Sequence, residues 1–171
     1  PDHTVAFHGA VVIGRKIAEG LDHAHRSILH REVNPDNVLV SPTGEIKLLN
    51  FCLVPESLAK EIRFTCLKEG QEEAGRLHGY MAPEQFFGFP PPGPAADRYA
   101  LAVLFYELIS GRLPFNQSDP QELMHAVCNL SPPEIPGLAG RYNQVLTQAL
   151  SKDPGKRFPS ATAFIDALEA T

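Results

Sequence analysis

Between Phe7 and Ser27 the apolar residues Ile13, Ile17, Leu21 and Ala24, with Ile28 just beyond, recur at steps of three and four. That period predicts an amphipathic helix with one buried stripe. The pattern breaks at HREVNPDN, residues 30–37. Two short apolar runs follow, 38–40 and 46–49, and the Pro and Gly of the intervening SPTGE supply turn geometry, so the pair is expected to form a small β-hairpin. From Asn50 to about Leu77 no period holds. A stretch of that length, rich in Glu, Lys and Gly, predicts a mobile loop.

The second half is more regular. Pro83 suits the first turn of a short helix, and the PPPGP run at 90–94 predicts an extended connection. Residues 96–110 are apolar almost all round, which predicts a helix buried on every side, closed by Gly111. Ser118 or Asp119 can cap a helix reaching about Asn129. Tyr142, Val145, Leu146, Ala149 and Leu150 outline another, and Ser160 can cap a third containing Ala161, Phe164, Ile165 and Leu168. The expectation is one mainly α-helical domain over 1–171, with a single hairpin.

Composition narrows the possible functions. With 171 residues, 43% of them hydrophobic, the chain can bury one substantial core. A net charge of −5, spread along the chain, argues against a nucleic-acid groove or a polybasic membrane patch. Cys52, Cys66 and Cys128 are odd in number and widely spaced, which fits reduced thiols and a cytoplasmic location. The longest apolar run, Tyr99 to Ile109, is too short to span a bilayer and contains Glu107. The chain starts at Pro1 rather than Met and is read as a piece of a longer polypeptide. His23, His25 and His30 lie close together, but positions two apart on a helix face different ways, so one core His and two exposed ones are expected in place of a metal site.

Several motifs then occur in one order: LDHAHRSILHRE at 21–32, EIKLLNFCLV at 45–54, GYMAPEQ at 79–85, DRYALAVLFYELISGRLPF at 97–115 and LSKDPGKRF at 150–158. Together they resemble the C-terminal lobe of a protein kinase of the eukaryotic-like Ser/Thr type common in bacteria. The resemblance covers nearly the whole chain and implies a kinase-like helical lobe with one small hairpin. The Gly-rich loop and strand Lys that hold ATP in that family belong to the other lobe, and neither is present here.

The resemblance implies a structural role for His30 in the catalytic loop. It also implies a buried ion pair of Glu84 with Arg157, and an Asp97 that accepts hydrogen bonds from the catalytic-loop backbone. Those positions are intact, as are Arg31 and the metal-side Asn37. The chemistry positions are altered. Glu32 stands where the family has its base Asp, Asn50 replaces the metal-binding Asp of D-F-G, and Cys52 replaces the Gly of that motif. Asn34 stands in place of the phosphate-neutralising Lys, and Leu77 in place of a Thr. The longer side chain of Glu32 shifts its carboxylate by more than an ångström, roughly the misplacement that costs about a hundredfold. A neutral Asn50 is a poor ligand for a hard dication.

Two readings follow. In one the chain belongs to a pseudokinase that binds protein partners, with no cofactor for this piece alone. In the other it belongs to an atypical active Ser/Thr kinase that uses Mg-ATP, with Glu32 as base and Asn37 and Asn50 on metal. An interaction module that never held a nucleotide remains a third. By the family pattern Arg31 can pair with a phosphate on the mobile loop, for which Ser57 and Thr65 are the candidates. The groove beside the helix at 119–129 is the expected partner surface, on family analogy.

Overall fold

The computed structural model describes residues 5–51, 77–88 and 91–170. Helix α1 runs from Phe7 to Ala24 and buries Ala10, Val11, Gly14, Ile17, Ala18 and Leu21. It stops about a turn earlier than the apolar period suggested. Ile28 lies past its end and is 40% exposed, outside the stripe. The reason is polar: beyond Ala24 the backbone turns through bonds from His25 to Leu21 and from Ile28 to Ala24, which delivers His25 and His30 to a carboxylate on another helix.

A 3-10 turn, Pro35–Asn37, leads into strands β1, Val38–Val40, and β2, Ile46–Leu48. They pair antiparallel, with Val38 opposite Leu48 and Val40 opposite Ile46. Gly44, at φ +83°, makes the turn that a Cβ would disfavour. Ile46 and Leu48 face the core, whereas Leu39 and Val40 stay about half exposed.

Helix α2 is short, Pro83–Phe87, and opens on its proline. Helix α3, Pro94–Ser110, is the centre of the fold, with Ala96, Asp97 and every residue from Tyr99 to Tyr106 buried. It starts at Pro94, so the last proline of the PPPGP run is the helix's first residue and not part of an extended connection; a proline loses nothing there, because that N–H has no helical partner. Gly111 at φ +70° ends it. Phe105 meets the edges of Phe7 and Phe164 at 5.9 and 5.7 Å between centroids.

Helices α4, Pro120–Asn129, α5, Gly140–Ala149, and α6, Ala161–Glu169, complete the described fold. Asp119, not Ser118, caps α4, accepting from the N–H groups of Gln121 and Glu122 at 2.9 Å. Helices α1 and α6 pack closely at Gly14, where a Cβ would sit 2.9 Å from the Ile165 Cδ1 atom. Asp22 of α1 accepts from the backbone of Ala161 and Thr162 and from the Thr162 hydroxyl at 2.7–2.9 Å. With Ser160 taking the Ala163 N–H, the start of α6 is capped from two sides.

Candidate functional site

Asp97 sits in the first turns of α3, 2% exposed, beneath the catalytic-like loop. Its Oδ2 accepts from the His30 N–H at 2.8 Å and from His25 Nε2 at 2.8 Å, and its Oδ1 accepts from the Arg31 N–H at 2.6 Å. These bonds hold Arg31 at φ +70°, a left-handed conformation uncommon for a residue with a side chain. Such a residue persists only where its surroundings over-determine it, at a cost of about 1–3 kcal/mol.

His30 is fully buried and faces Phe51, with the two ring centroids 4.5 Å apart. Its Nδ1 accepts from the Glu32 N–H at 3.2 Å, so the ring proton lies on Nε2, which donates to the Leu49 carbonyl at 2.8 Å. Burial pushes the His30 pKa down and keeps the ring neutral, against the pull of the Leu49 carbonyl and the nearby Asp97 and Glu32 carboxylates. The imidazole therefore ties the loop to the end of β2.

Three amides complete the loop. Asn34 is 6% exposed: its Oδ1 accepts from the Asp36 N–H at 3.0 Å, capping the 3-10 turn, and its Nδ2 donates to the Glu32 carbonyl at 3.1 Å. Asn37 donates to the same carbonyl at 2.7 Å, and its Oδ1 accepts from Asn50 Nδ2 at 2.9 Å. Asn50 stands at φ +58°, which asparagine tolerates better than most side chains. The structure thus brings Glu32, Asn34, Asn37 and Asn50 into one hydrogen-bonded group, linked to Asp97 through Arg31 and His30.

In this group the amide of Asn34 is folded inward as a strut, and the Asn37 oxygen is committed to Asn50. The residues present do not fit a tightly held Mg²⁺: both side chains at the metal positions are neutral, and one donor oxygen is already bonded. Among the described residues no group of three or more His, Cys, Asp or Glu could hold a metal ion. The Glu32 side chain is exposed, and its carboxylate makes no hydrogen bond among the described residues.

The second polar centre lies below. Arg157 donates to both Glu84 oxygens, at 2.7 and 2.8 Å, with side chains 0% and 3% exposed. It also donates to the carbonyls of Ser151 and Ala95 and stacks on Tyr99 at 4.9 Å. The end of the GYMAPEQ segment is thereby fixed to α3 and to the turn before α6.

Ser57, Thr65, Cys52 and Cys66, with most of the expected mobile loop, lie outside the described residues; Leu77 is described and exposed. His25 departs from the sequence expectation. Only His23 of the α1 pair is exposed, while His25 is largely buried on Asp97, so two of the three histidines serve the loop. Asp22 and Lys152 were also missed, because their partners lie 139 and 25 residues away and no local period marks them.

A buried helix whose acid organises a catalytic-type loop, with an A-P-E segment locked to a late Arg, defines the kinase class of fold. The protein kinase domain model matches residues 4–167, so this chain belongs to the protein kinase family. It is 36% identical over 174 residues to the serine/threonine-protein kinase Pkn1 of Myxococcus xanthus and 30% identical over 168 residues to PknL of Mycobacterium tuberculosis, covering 94% and 95% of this chain. The chain spans only 24% and 40% of the length of those relatives. The crystal structure of the Mycobacterium tuberculosis PknI kinase domain superposes with a TM-score of 0.70 at 27% identity, covering 98% of this chain and 56% of that one.

Proposed function

We propose that this chain is the C-terminal lobe of a kinase-like protein in which phosphotransfer is impaired and which works by binding protein partners. The observation that carries the reading is the 2.9 Å bond from Asn50 to Asn37, which joins the two metal positions to each other. Asn34, turned inward onto Asp36 and Glu32, supports the same reading. Two positions that serve phosphate and metal in the family act here as internal struts, so the loop keeps its shape without an ion. The other lobe lies elsewhere in the full protein, in keeping with the 56% of the PknI kinase domain that this chain covers.

The partner surface is the groove of about 620 Å³ beside α4, lined by Gln117, Asp119, Glu122, His125, Ala126 and Leu130. Its partners are proteins, and neither nucleic acid nor a membrane is invoked. Among the described residues no helix is long and apolar enough to cross a membrane.

A second reading, an active kinase with Mg-ATP as donor, draws support from Glu32, whose exposed carboxylate is free to take a proton. A phosphotransfer assay on the full-length protein separates the two. Beside it runs a revertant carrying Glu32→Asp, Asn34→Lys, Asn50→Asp and Cys52→Gly. The expected result is no Mg²⁺-dependent turnover in the unmodified protein and a gain in the revertant. Turnover of the unmodified protein within the usual range of about 1–100 per second would overturn the first reading and establish the second.

A further inference from the structure

Lys152 follows α5 and reaches across to α4. Its Nζ donates to the Val127 carbonyl at 2.5 Å and lies 4.3 Å from the centroid of the Phe115 ring. Val127 belongs to the last turn of α4, where carbonyls have no helical N–H to accept from. Lys152 therefore caps α4 from outside the helix and clamps it to Phe115, in the segment leading into the same helix. The ammonium forms no ion pair among the described residues. Its surroundings are an aromatic face, a carbonyl, the Cys128 thiol on α4 and the Arg157 guanidinium.

We propose that Lys152 is a site of amine acylation, and that acylating it releases α4 from the body of the fold. Burial brings its pKa down to about 8, with Arg157 reinforcing the fall and Cys128 opposing it, so a fraction of the amine is the free base near neutral pH. The side chain is only partly buried, which leaves the nitrogen reachable. In the reaction the Nζ lone pair attacks the carbonyl carbon of an activated acyl donor, either an acyl phosphate or an acyl thioester. The N–C bond forms, the C–O or C–S bond to the phosphate or thiolate breaks, and the amine proton passes to solvent. The product amide is neutral, so the cation over Phe115 is lost, and the added acyl group no longer fits beside Val127. The effect on partners rests on the reading of α4 as the partner surface; the reactivity does not.

The test treats the full-length protein with limiting acetyl phosphate, and separately with an acetyl thioester of N-acetylcysteamine, while mass spectrometry follows each lysine. At pH 7.5 a lysine of pKa about 8 holds a few hundred times more free base than one near 10.5, and its lower intrinsic nucleophilicity returns roughly a tenth of that. Lys152 is expected to react about tenfold faster than the exposed Lys16, Lys47 and Lys156, with a rate that levels off above pH 8 while theirs keep rising. Preference for one donor identifies the source of the acyl group. Hydrogen exchange of α4 amides, residues 123–130, is then expected to speed up severalfold in the acetylated protein and in Lys152→Gln, and to stay unchanged in Lys152→Arg. Reaction at Lys152 no faster than at the exposed lysines overturns the site. Acetylation without faster exchange in α4 overturns the release. Neither measurement involves a partner or phosphotransfer, so both remain readable if the proposed function fails.

Discussion

Glu84 meets Arg157 in the interior as a full ion pair with two bonds, whereas the corresponding meeting at the catalytic-type loop is between two neutral amides, Asn50 and Asn37. Both are contacts between segments far apart in sequence, and both fix a turn. They differ in what a charge would do there. In the lower centre each charge is the partner of the other, and either alone would be stranded without water. At the loop, the family's charged groups serve a ligand, and once the ligand's role lapses a carboxylate between carbonyls and a neighbouring Glu only repels. A hydrogen-bonded amide holds the same turn without a counter-ion. Charge has been kept where it supports the fold and exchanged where it would support chemistry.

The comparison can be tested from its strongest side down. Glu84→Ala leaves Arg157 buried and unpaired, and denaturant unfolding is expected to show a loss of about 3–5 kcal/mol; a loss under 1 kcal/mol would mean that the lower centre is no anchor. Asp97→Ala removes the acceptor for two backbone N–H groups and for His25. At about 1–3 kcal/mol for a buried donor left unsatisfied, the expected cost is near 3 kcal/mol, with faster hydrogen exchange at His30 and Arg31 as the local signature.

Asp22→Ala removes a cap and should cost about 1 kcal/mol. Burial pushes the Asp22 carboxyl up, but the bonds from Thr162 and Ala161 outweigh it and hold the pKa below its ordinary value. The contribution is therefore complete above the unfolded value of about 3.9 and fades as pH falls through the lower folded value. Unfolding of wild type and Asp22→Asn measured from pH 7 to pH 2 should converge at the acid end; a constant gap would remove the carboxylate from the account. Asn50→Ala gives the smallest effect, about 0.5–1.5 kcal/mol for one hydrogen bond. Should it match Glu84→Ala, the contrast between the two regions fails.

Most of the helical architecture was readable from periodicity and punctuation. Gly111 and Ser160 mark boundaries by themselves, and the all-round apolar run placed α3 at the centre. Periodicity failed at Ile28, because the helix there yields to polar groups waiting on α3, which a local apolar pattern cannot report. It missed His25 and Asp22 for the same reason, since their acceptors and donors come from segments 72 and 139 residues away. At the site, residue identity showed which charges were gone but not what had replaced their function. That Asn50 turns to Asn37, and Asn34 back onto its own loop, is a matter of side-chain direction, which depends on how β2 and the 3-10 turn meet.

The bond between Asp22 and the start of α6 also has a consequence in time. The first helix cannot complete its packing until a segment 139 residues later has been made. At synthesis rates of about 5–20 residues per second, that interval lasts on the order of ten seconds, during which Ile17, Leu21 and the bare notch at Gly14 face the cell uncovered. A nascent chain held in that state is a natural client for a chaperone that recognises short apolar helices, and closure by α6 would be the event that lets it go.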